Sequence, residues 1–228
     1  MLALIIKLKY TMKKTGLILT GLFFASFTFG QTVNFQAGTS LSQLDWKFNG
    51  TNFGSLYNKT LIGYSILAGI DYLDKKYFNL SSNIGFIRKG GKDEVQLYDQ
   101  NGVLTSGTLI DKATLDYFSI NTMVDIKYEI KETFTPFVGI GPQFGYLINN
   151  SKLFDPIKKD DRLENKSYGL LVGGGIKYNR SKFQLGLRSD YYLDFTKVVD
   201  WTDVAPTGGS KITSKTYSIS FTIGYKLK

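Results

Sequence analysis

Residues 217–228, YSISFTIGYKLK, alternate bulky apolar side chains with small or polar ones without a break. A strand places successive side chains on opposite faces, so one face of this segment is apolar and the other is polar. Roughly eleven residues at about 3.3 Å each, tilted by about 40°, rise about 28 Å, close to the apolar layer that membrane-spanning strands cover. The segment therefore predicts a strand that crosses a bilayer, provided that the pattern recurs along the chain.

The same alternation does recur. Period-two patterns predict strands at residues 33–41, 61–73, 77–88, 115–128, 134–148, 167–178, 183–195 and 217–228. Tight turns follow the second, fourth and sixth strands, and the other connections are long polar segments at about 45–60, 89–114, 149–166 and 196–214. Short turns at one end and long loops at the other are typical of membrane barrels, with the short turns periplasmic. The sequence predicts an all-β fold, an eight-stranded antiparallel up-and-down transmembrane β-barrel over residues 31–228.

A secreted soluble barrel of lipocalin type is the main alternative, because it also has eight up-and-down strands. Such a barrel buries its apolar side chains and exposes polar ones. Here the small, polar face is rich in Gly, Ser and Asn, which suits a narrow lumen, so the bulky face requires lipid. Aromatic residues flank every tight turn, as in an interfacial girdle: Tyr72 and Phe78, Tyr128 and Phe134, Tyr178 and Phe183. Five apolar residues interrupt the polar face, and some are expected to mark β-bulges: Leu67, Ile87, Met123, Phe137 and Leu171.

The N-terminal residues 1–30 are predicted to be a signal peptide. Lys13 and Lys14 supply its positive region, and an apolar stretch too short to span a bilayer as a helix follows them. We expect cleavage between Gly30 and Gln31, and translation starting at Met12. These features predict export from the cytoplasm.

The composition excludes several function classes. The formal net charge is +9, but residues 1–30 hold four Lys and no acid, so residues 31–228 carry 24 basic and 19 acidic residues. Both signs are mixed through the loops, which argues against nucleic-acid binding. With no Cys and no His, the chain has no disulfide, no thiolate–zinc site and no imidazole base. We predict no catalytic, cofactor-binding or metal site.

Seven charged residues fall on the face predicted to line the lumen: Asp71, Asp125, Lys127, Lys177, Arg188, Asp190 and Asp194. The interior of an eight-stranded barrel is only wide enough for side chains. We therefore expect a charge network that fills the lumen, in which Arg188 pairs with inward carboxylates.

Three segments carry a resemblance to a known family: residues 84–92 (IGFIRKGGK), 115–121 (LDYFSIN) and 135–147 (TPFVGIGPQFGYL). They resemble the outer-membrane β-barrel family widespread in Bacteroidetes, often labelled porin-family proteins, which includes the PorT-like secretion-associated proteins. The resemblance implies a barrel in the bacterial outer membrane and does not imply one activity. The last strand is similar to an insertion signal for the barrel-assembly machinery, although it ends in Lys228 instead of an aromatic residue.

Nine basic residues lie near strand ends that enter the long loops, where lipopolysaccharide headgroups would meet the barrel: Arg88, Lys89, Lys92, Lys112, Lys152, Lys166, Lys197, Lys211 and Lys215. Lys and Arg can bind phosphate there at close range, so these residues are candidates for a lipopolysaccharide rim. Charged residues also simply mark solvated loop bases, and both interpretations stay open.

Two functions fit this pattern. The first is a membrane anchor and interaction scaffold that uses four long extracellular loops, linked to secretion or surface adhesion through an envelope partner. The second is a narrow channel for water, ions or very small solutes. Neither function is enzymatic.

Overall fold

Eight long antiparallel strands dominate the computed structural model, which describes residues 32–48, 56–98, 101, 104–131, 133–200 and 210–227. Their bounds are β1 (Thr32–Phe48), β2 (Leu61–Asp74), β3 (Phe78–Tyr98), β4 (Leu104–Lys127), β5 (Phe134–Asn150), β6 (Lys166–Arg180), β7 (Phe183–Asp194) and β9 (Ser210–Lys226). The two-residue strand β8 (Val199–Asp200) pairs with β9 near its start. A 3-10 turn (Lys152–Phe154) and the short helix α1 (Asp155–Lys159) lie between β5 and β6.

Strand β1 closes the sheet into a barrel, because it pairs with β2 along one edge and with β9 along the other. The remaining long strands pair with their neighbours in chain order. The predicted eight-stranded antiparallel up-and-down barrel is therefore confirmed. We call the end with the three tight turns the turn end, and the opposite end the loop end. Among the described residues, no helix has the length and apolar character needed to cross a membrane. The predicted signal peptide and its Gly30–Gln31 cleavage site lie outside the described residues.

Strands β3 and β4 are much longer than predicted. Their pairing runs without a register shift from Phe78 opposite Ile126 to Gln96 opposite Thr108. The prediction of a long polar loop at 89–114 is therefore wrong over most of that range. Apolar alternation could not detect this part, because a strand pair surrounded by water needs no continuous apolar face.

We refer to residues 92–98 of β3 and 104–112 of β4 as the outer ribbon. Gly90 lies at its base with a φ of +149°, a backbone conformation that residues with side chains rarely adopt. A Cβ atom there would lie 2.0 Å from the carbonyl oxygen of Ala113. The ribbon thus begins at a position that requires glycine.

Aromatic side chains mark two levels on the outer surface, eight residues apart along four strands. The pairs are Tyr64 and Tyr72, Phe86 and Phe78, Tyr191 and Phe183, and Tyr217 and Tyr225. The outward side chains between these levels are mainly apolar and exposed, and Phe221, midway along β9, is 73% exposed. Eight residues tilted by about 40° rise about 20 Å. The apolar belt therefore has about this height along these four strands, and it is about 25 Å tall along β4, β5 and β6, where the outward aromatic residues are ten positions apart: Phe118 and Tyr128, Phe134 and Phe144, Tyr168 and Tyr178.

The five apolar residues on the polar face do not mark bulges, so that expectation is wrong. All five are buried inside the barrel: Leu67, Ile87, Met123, Phe137 and Leu171. The register shifts lie elsewhere, between Asp71 and Leu73, Gln96 and Tyr98, and Asp116 and Tyr117. These five residues fill space in the lumen without disturbing the strand alternation.

Candidate functional site

A buried arginine lies between two carboxylates in the middle of the lumen. Arg188 donates from Nε to Asp190 at 2.8 Å and from Nη1 to Asp125 at 3.3 Å. Glycines on the neighbouring strands make room for both acids, because a Cβ at Gly139 or Gly173 would lie 1.9 Å from the Oδ1 atom of Asp125 or Asp190, respectively. The predicted inward set thus contains a compact Arg–Asp–Asp group.

A second pair lies nearer the turn end. Lys177 contacts Asp71 at 3.2 Å, and the side-chain amide of Asn34 donates to the same carboxylate at 2.8 Å. Lys177 Nζ and Arg188 Cζ lie 5.4 and 5.2 Å from the centre of the Phe137 ring, respectively. A small cavity of about 10 Å³, roughly the room that one water molecule needs, lies beside these groups. The turn end of the lumen is therefore polar, and the side chains leave little free space in it.

Lys127 does not join this network. Its ammonium contacts Asp74 and, at 3.5 Å, Glu129, which both lie beside the tight turns. It is the last residue of β4, so its long side chain can reach past the barrel edge. The prediction of a lumenal role for Lys127 is corrected to one at the rim of the turn end.

The loop end of the lumen contains a separate ion pair. Lys89 Nζ donates to both oxygens of Asp194, at 2.7 and 2.9 Å. The same carboxylate accepts hydrogen bonds from Gln143 at 2.7 Å, Ser167 at 3.1 Å and Ser214 at 2.7 Å. Asp194 was predicted to face inward. It is paired with a residue 105 positions away in the chain.

Lys89 is therefore not part of a lipopolysaccharide rim. Its side chain is 2% exposed, and its ammonium lies 5.4 and 4.9 Å from the ring centres of Tyr117 and Tyr192, respectively. It shares the inward face of β3 with Asn83 and Gly85, so the period-two pattern already contained the signal that places it in the lumen. Its nearness to a predicted loop obscured that signal.

An apolar cluster, which we call the outer plug, fills the loop end above this ion pair. Inward strand residues contribute Leu44, Ile87, Leu115, Tyr117, Leu147, Leu171, Tyr192 and Ile212. Residues from the outer connections pack onto them: Tyr57, Phe154, Ile157, Leu163, Val198 and Val199. These connections therefore close the lumen instead of leaving it open. Sequence reasoning missed the plug, whose only signal is isolated apolar residues in polar loops.

The other eight predicted rim residues do lie at the loop end, and they differ in pairing and exposure. Arg88 forms two hydrogen bonds to Asp116, at 2.6 and 2.8 Å. Lys92 contacts Glu94 at 3.1 Å, and Lys197 contacts Asp200. Lys211 is partly buried, and four are exposed: Lys112, Lys152, Lys166 and Lys215.

The outer ribbon exposes large apolar side chains. Val95 lies opposite Leu109, and the two are 50% and 56% exposed. Further exposed members are Leu97, Tyr98, Leu104 and Ile110. Within the described residues, β2 pairs with β3 only as far as Ile87, apart from a single bridge at Lys92. On the other side, β5 pairs with β4 only as far as Leu115. Among the described residues, no strand therefore pairs with either edge of the outer ribbon beyond these residues.

A tyrosine fastens the ribbon to the first outer connection. The Tyr57 hydroxyl donates to Asp111 at 2.6 Å. Burial, and next the hydrogen bond and charge of Asp111, raise the pKa of Tyr57 from its usual 10 to about 12. The hydroxyl therefore remains a donor throughout the physiological pH range.

A family model described as an outer membrane protein beta-barrel domain matches residues 8–200. The chain belongs to the outer membrane protein beta-barrel family. The sequence matches none of the curated proteins with which it was compared.

Three solved structures are similar to this beta-barrel family member, and one of them, OprG, shows the same fold. OprG from Pseudomonas aeruginosa is 12% identical with a TM-score of 0.53, and the match covers 87% of this chain and 96% of OprG. Ail from Yersinia pestis is 13% identical with a TM-score of 0.43, covering 87% and 99%. Neisserial surface protein A is 13% identical with a TM-score of 0.45, covering 86% and 97%.

The outer-membrane barrel family places this protein in the bacterial outer membrane. The turn end of such barrels is periplasmic and the loop end is extracellular. The apolar belt then lies in the bilayer, and the outer ribbon projects from the cell. In the part of the chain that the structure describes, no group of three or more His, Cys, Asp or Glu residues could hold a metal ion.

Proposed function

We propose that the protein is a closed, non-catalytic membrane anchor that presents its outer ribbon and neighbouring connections to a partner outside the cell. One combination of features carries this proposal: the lumen is filled at its extracellular end, while a ribbon with exposed apolar side chains extends beyond the same end. Contiguous exposed apolar surface often marks an interaction site. Free strand edges can also accept an extended peptide through main-chain hydrogen bonds.

The proposal includes the finer assignments that the sequence suggested. The chain is placed in the Bacteroidetes group with PorT-like proteins, on the strength of residues 84–92, 115–121 and 135–147, and its partner belongs to secretion or surface adhesion. The barrel-assembly machinery inserts it through the last strand. Four exposed cations remain as contacts for lipopolysaccharide phosphate: Lys112, Lys152, Lys166 and Lys215.

A narrow channel for water, ions or very small solutes is the second candidate. The small polar cavity beside Arg188 favours it, because a water molecule can occupy that part of the lumen. Passage through the protein would require the outer plug to move out of the extracellular end. The packing of six residues from three connections into one apolar cluster argues against such an opening.

Conductance in planar bilayers separates the two candidates. We expect the purified protein to insert without discrete current steps, because the Arg188 group and the outer plug occupy the lumen. A variant with Phe154→Ser and Leu163→Ser in the plug serves as the positive control, since it should loosen the closure and produce openings. Regular steps from the wild-type protein would establish the channel and contradict the closed anchor.

Site-specific photo-crosslinking in living cells tests the role of the ribbon. A benzophenone side chain replaces Leu97 on the ribbon, and a control protein carries it at Ile176 in the lipid belt. We expect a protein adduct of defined mass from position 97 and none from position 176.

A shortened variant, in which Asn-Gly replaces residues 95–109 and joins the paired residues Glu94 and Ile110 through a tight turn, completes the test. It should insert normally and lose the surface activity of the partner complex, such as adhesion or secretion. The same adduct from both positions, or full activity of the shortened variant, would rule out the ribbon as the docking surface.

A further inference from the structure

A ring of cations surrounds the periplasmic end of the barrel. We call it the basic turn ring: Lys76, Lys131, Arg180 and Lys182. All four are exposed. The tight turns place the ring directly below the lower aromatic level of the belt, and Lys76 Nζ lies 5.3 Å from the centre of the Tyr77 ring. Because aromatic girdles lie at headgroup level, the ring lies at the depth of lipid phosphates.

The two described acids near this ring are already engaged. Asp74 and Glu129 both contact Lys127, whose side chain is only 10% exposed. Among the described residues, no member of the ring forms a salt bridge with an acid. Glu132 is the one further acid in these turns, and it lies outside the described residues. The periplasmic rim therefore presents more positive than negative charge.

Backbone hydrogen bonds connect neighbouring turns and hold the ring in place. The Lys127 amide donates to Tyr77 at 2.9 Å, the Asn179 amide to Thr133 at 2.7 Å, and the Lys226 amide to Lys182 at 2.8 Å. The cations are consequently held around the barrel on short turns and not on long, adaptable loops. Ligand binding at such a surface requires little ordering of the backbone.

The cations of the extracellular rim differ from the ring in how many of them are paired with acids. Several of its cations are paired with acids of the same rim, as in Lys59–Glu94, Lys92–Glu94, Arg88–Asp116 and Lys197–Asp200. Each such pair offers less net attraction to an external phosphate than an unpaired cation does. Part of the extracellular charge is therefore neutralised by neighbouring acids, whereas the basic turn ring keeps its charge.

We infer that the basic turn ring binds the phosphate groups of anionic phospholipids, such as phosphatidylglycerol, in the inner leaflet of the outer membrane. Lys and Arg side chains next to a bilayer surface attract anionic headgroups and form charge-assisted hydrogen bonds with phosphate. The aromatic level above the ring keeps the acyl chains of the same lipid in contact with the belt. This inference does not depend on the function of the outer ribbon.

Lipid retention tests the inference. The protein is reconstituted in phosphatidylcholine vesicles that contain a minor fraction of phosphatidylglycerol, and is then extracted in mild detergent. Mass spectrometry counts the lipids that remain bound. We expect phosphatidylglycerol to be enriched over phosphatidylcholine, and the enrichment to fall when the salt concentration rises from about 0.05 to about 0.5 M. No enrichment for the wild-type protein would overturn the inference.

Two triple variants with equal loss of charge provide the comparison. Lys76→Gln, Lys131→Gln and Lys182→Gln together should reduce the enrichment by about fivefold or more. Lys59→Gln, Lys158→Gln and Lys159→Gln, at the extracellular end, should leave it near the wild-type value. Equal losses in both variants would overturn the inference. So would unchanged lipid retention in the ring variant together with weaker co-sedimentation with purified peptidoglycan, since the ring would then bind the cell wall.

Discussion

Asp194→Ala is expected to destabilise the barrel by about 3–5 kcal/mol, because it leaves the Lys89 ammonium buried without its counter-charge. The substitution also removes the acceptor for Gln143, Ser167 and Ser214. Equilibrium unfolding in guanidinium chloride, with the protein in lipid vesicles and tryptophan fluorescence as the signal, measures the loss. The chain has two tryptophans, Trp46 and Trp201, to report it.

Two comparison variants separate this effect from a general cost of mutation. Asp200→Ala breaks the exposed contact with Lys197 and should cost about 1 kcal/mol or less. Lys89→Met with Asp194→Leu removes both charges, so it should recover most of the stability that Asp194→Ala loses. If the double variant is as unstable as Asp194→Ala, the loss comes from packing or from the lost hydrogen bonds and not from an unpaired charge.

Phe221→Arg is expected to cost about 2–4 kcal/mol, because it places a guanidinium on the lipid face near the middle of the bilayer. Phe221 lies four residues from both Tyr217 and Tyr225, which mark the two aromatic levels on β9. The same vesicle unfolding experiment measures this loss.

Thr213→Arg provides the matched control on the same strand and the same outward face. Thr213 lies beyond Tyr217 toward the extracellular side, where an added Arg can reach water, so the expected cost is about 1 kcal/mol or less. Similar losses at positions 213 and 221 would contradict the assignment of residues 217–225 to the lipid belt. Spin labels along β9 offer a second measurement, since oxygen accessibility should be high at odd positions and low at even ones.

The strands could be predicted from the sequence wherever lipid constrains them. Within the belt most outward side chains must be apolar, so alternation located all eight long strands. Outside the belt that requirement ends, and β3 and β4 continue as a ribbon in residues that were expected to form a loop. The start of β9 at Ser210 and the end of β1 at Phe48 extend beyond the predicted strands for the same reason.

Strand alternation predicted which side chains face the lumen, but it did not predict which of them pair with each other. Strand parity places Asp125, Arg188 and Asp190 inside, and would also have placed Lys89 there. Which inward residues meet across the barrel depends on the stagger of all eight strands, so the Lys89–Asp194 pair has no local signature. The outer plug was still harder to predict from the sequence, because residues such as Phe154 and Val199 form a core only after distant connections pack together.

The eight-residue spacing of the two aromatic levels has a consequence for the surrounding membrane. On the side of the barrel formed by β2, β3, β7 and β9 the belt is about 20 Å tall, which is shorter than the roughly 25 Å apolar band that is usual for outer-membrane barrels. Lipids around a short belt must compress to cover it, and this hydrophobic mismatch costs fractions of a kcal/mol per Å. Two barrels that share one compressed annulus reduce the total deformation. The membrane itself should therefore draw copies of this protein together, and the tendency should strengthen as the bilayer becomes thicker.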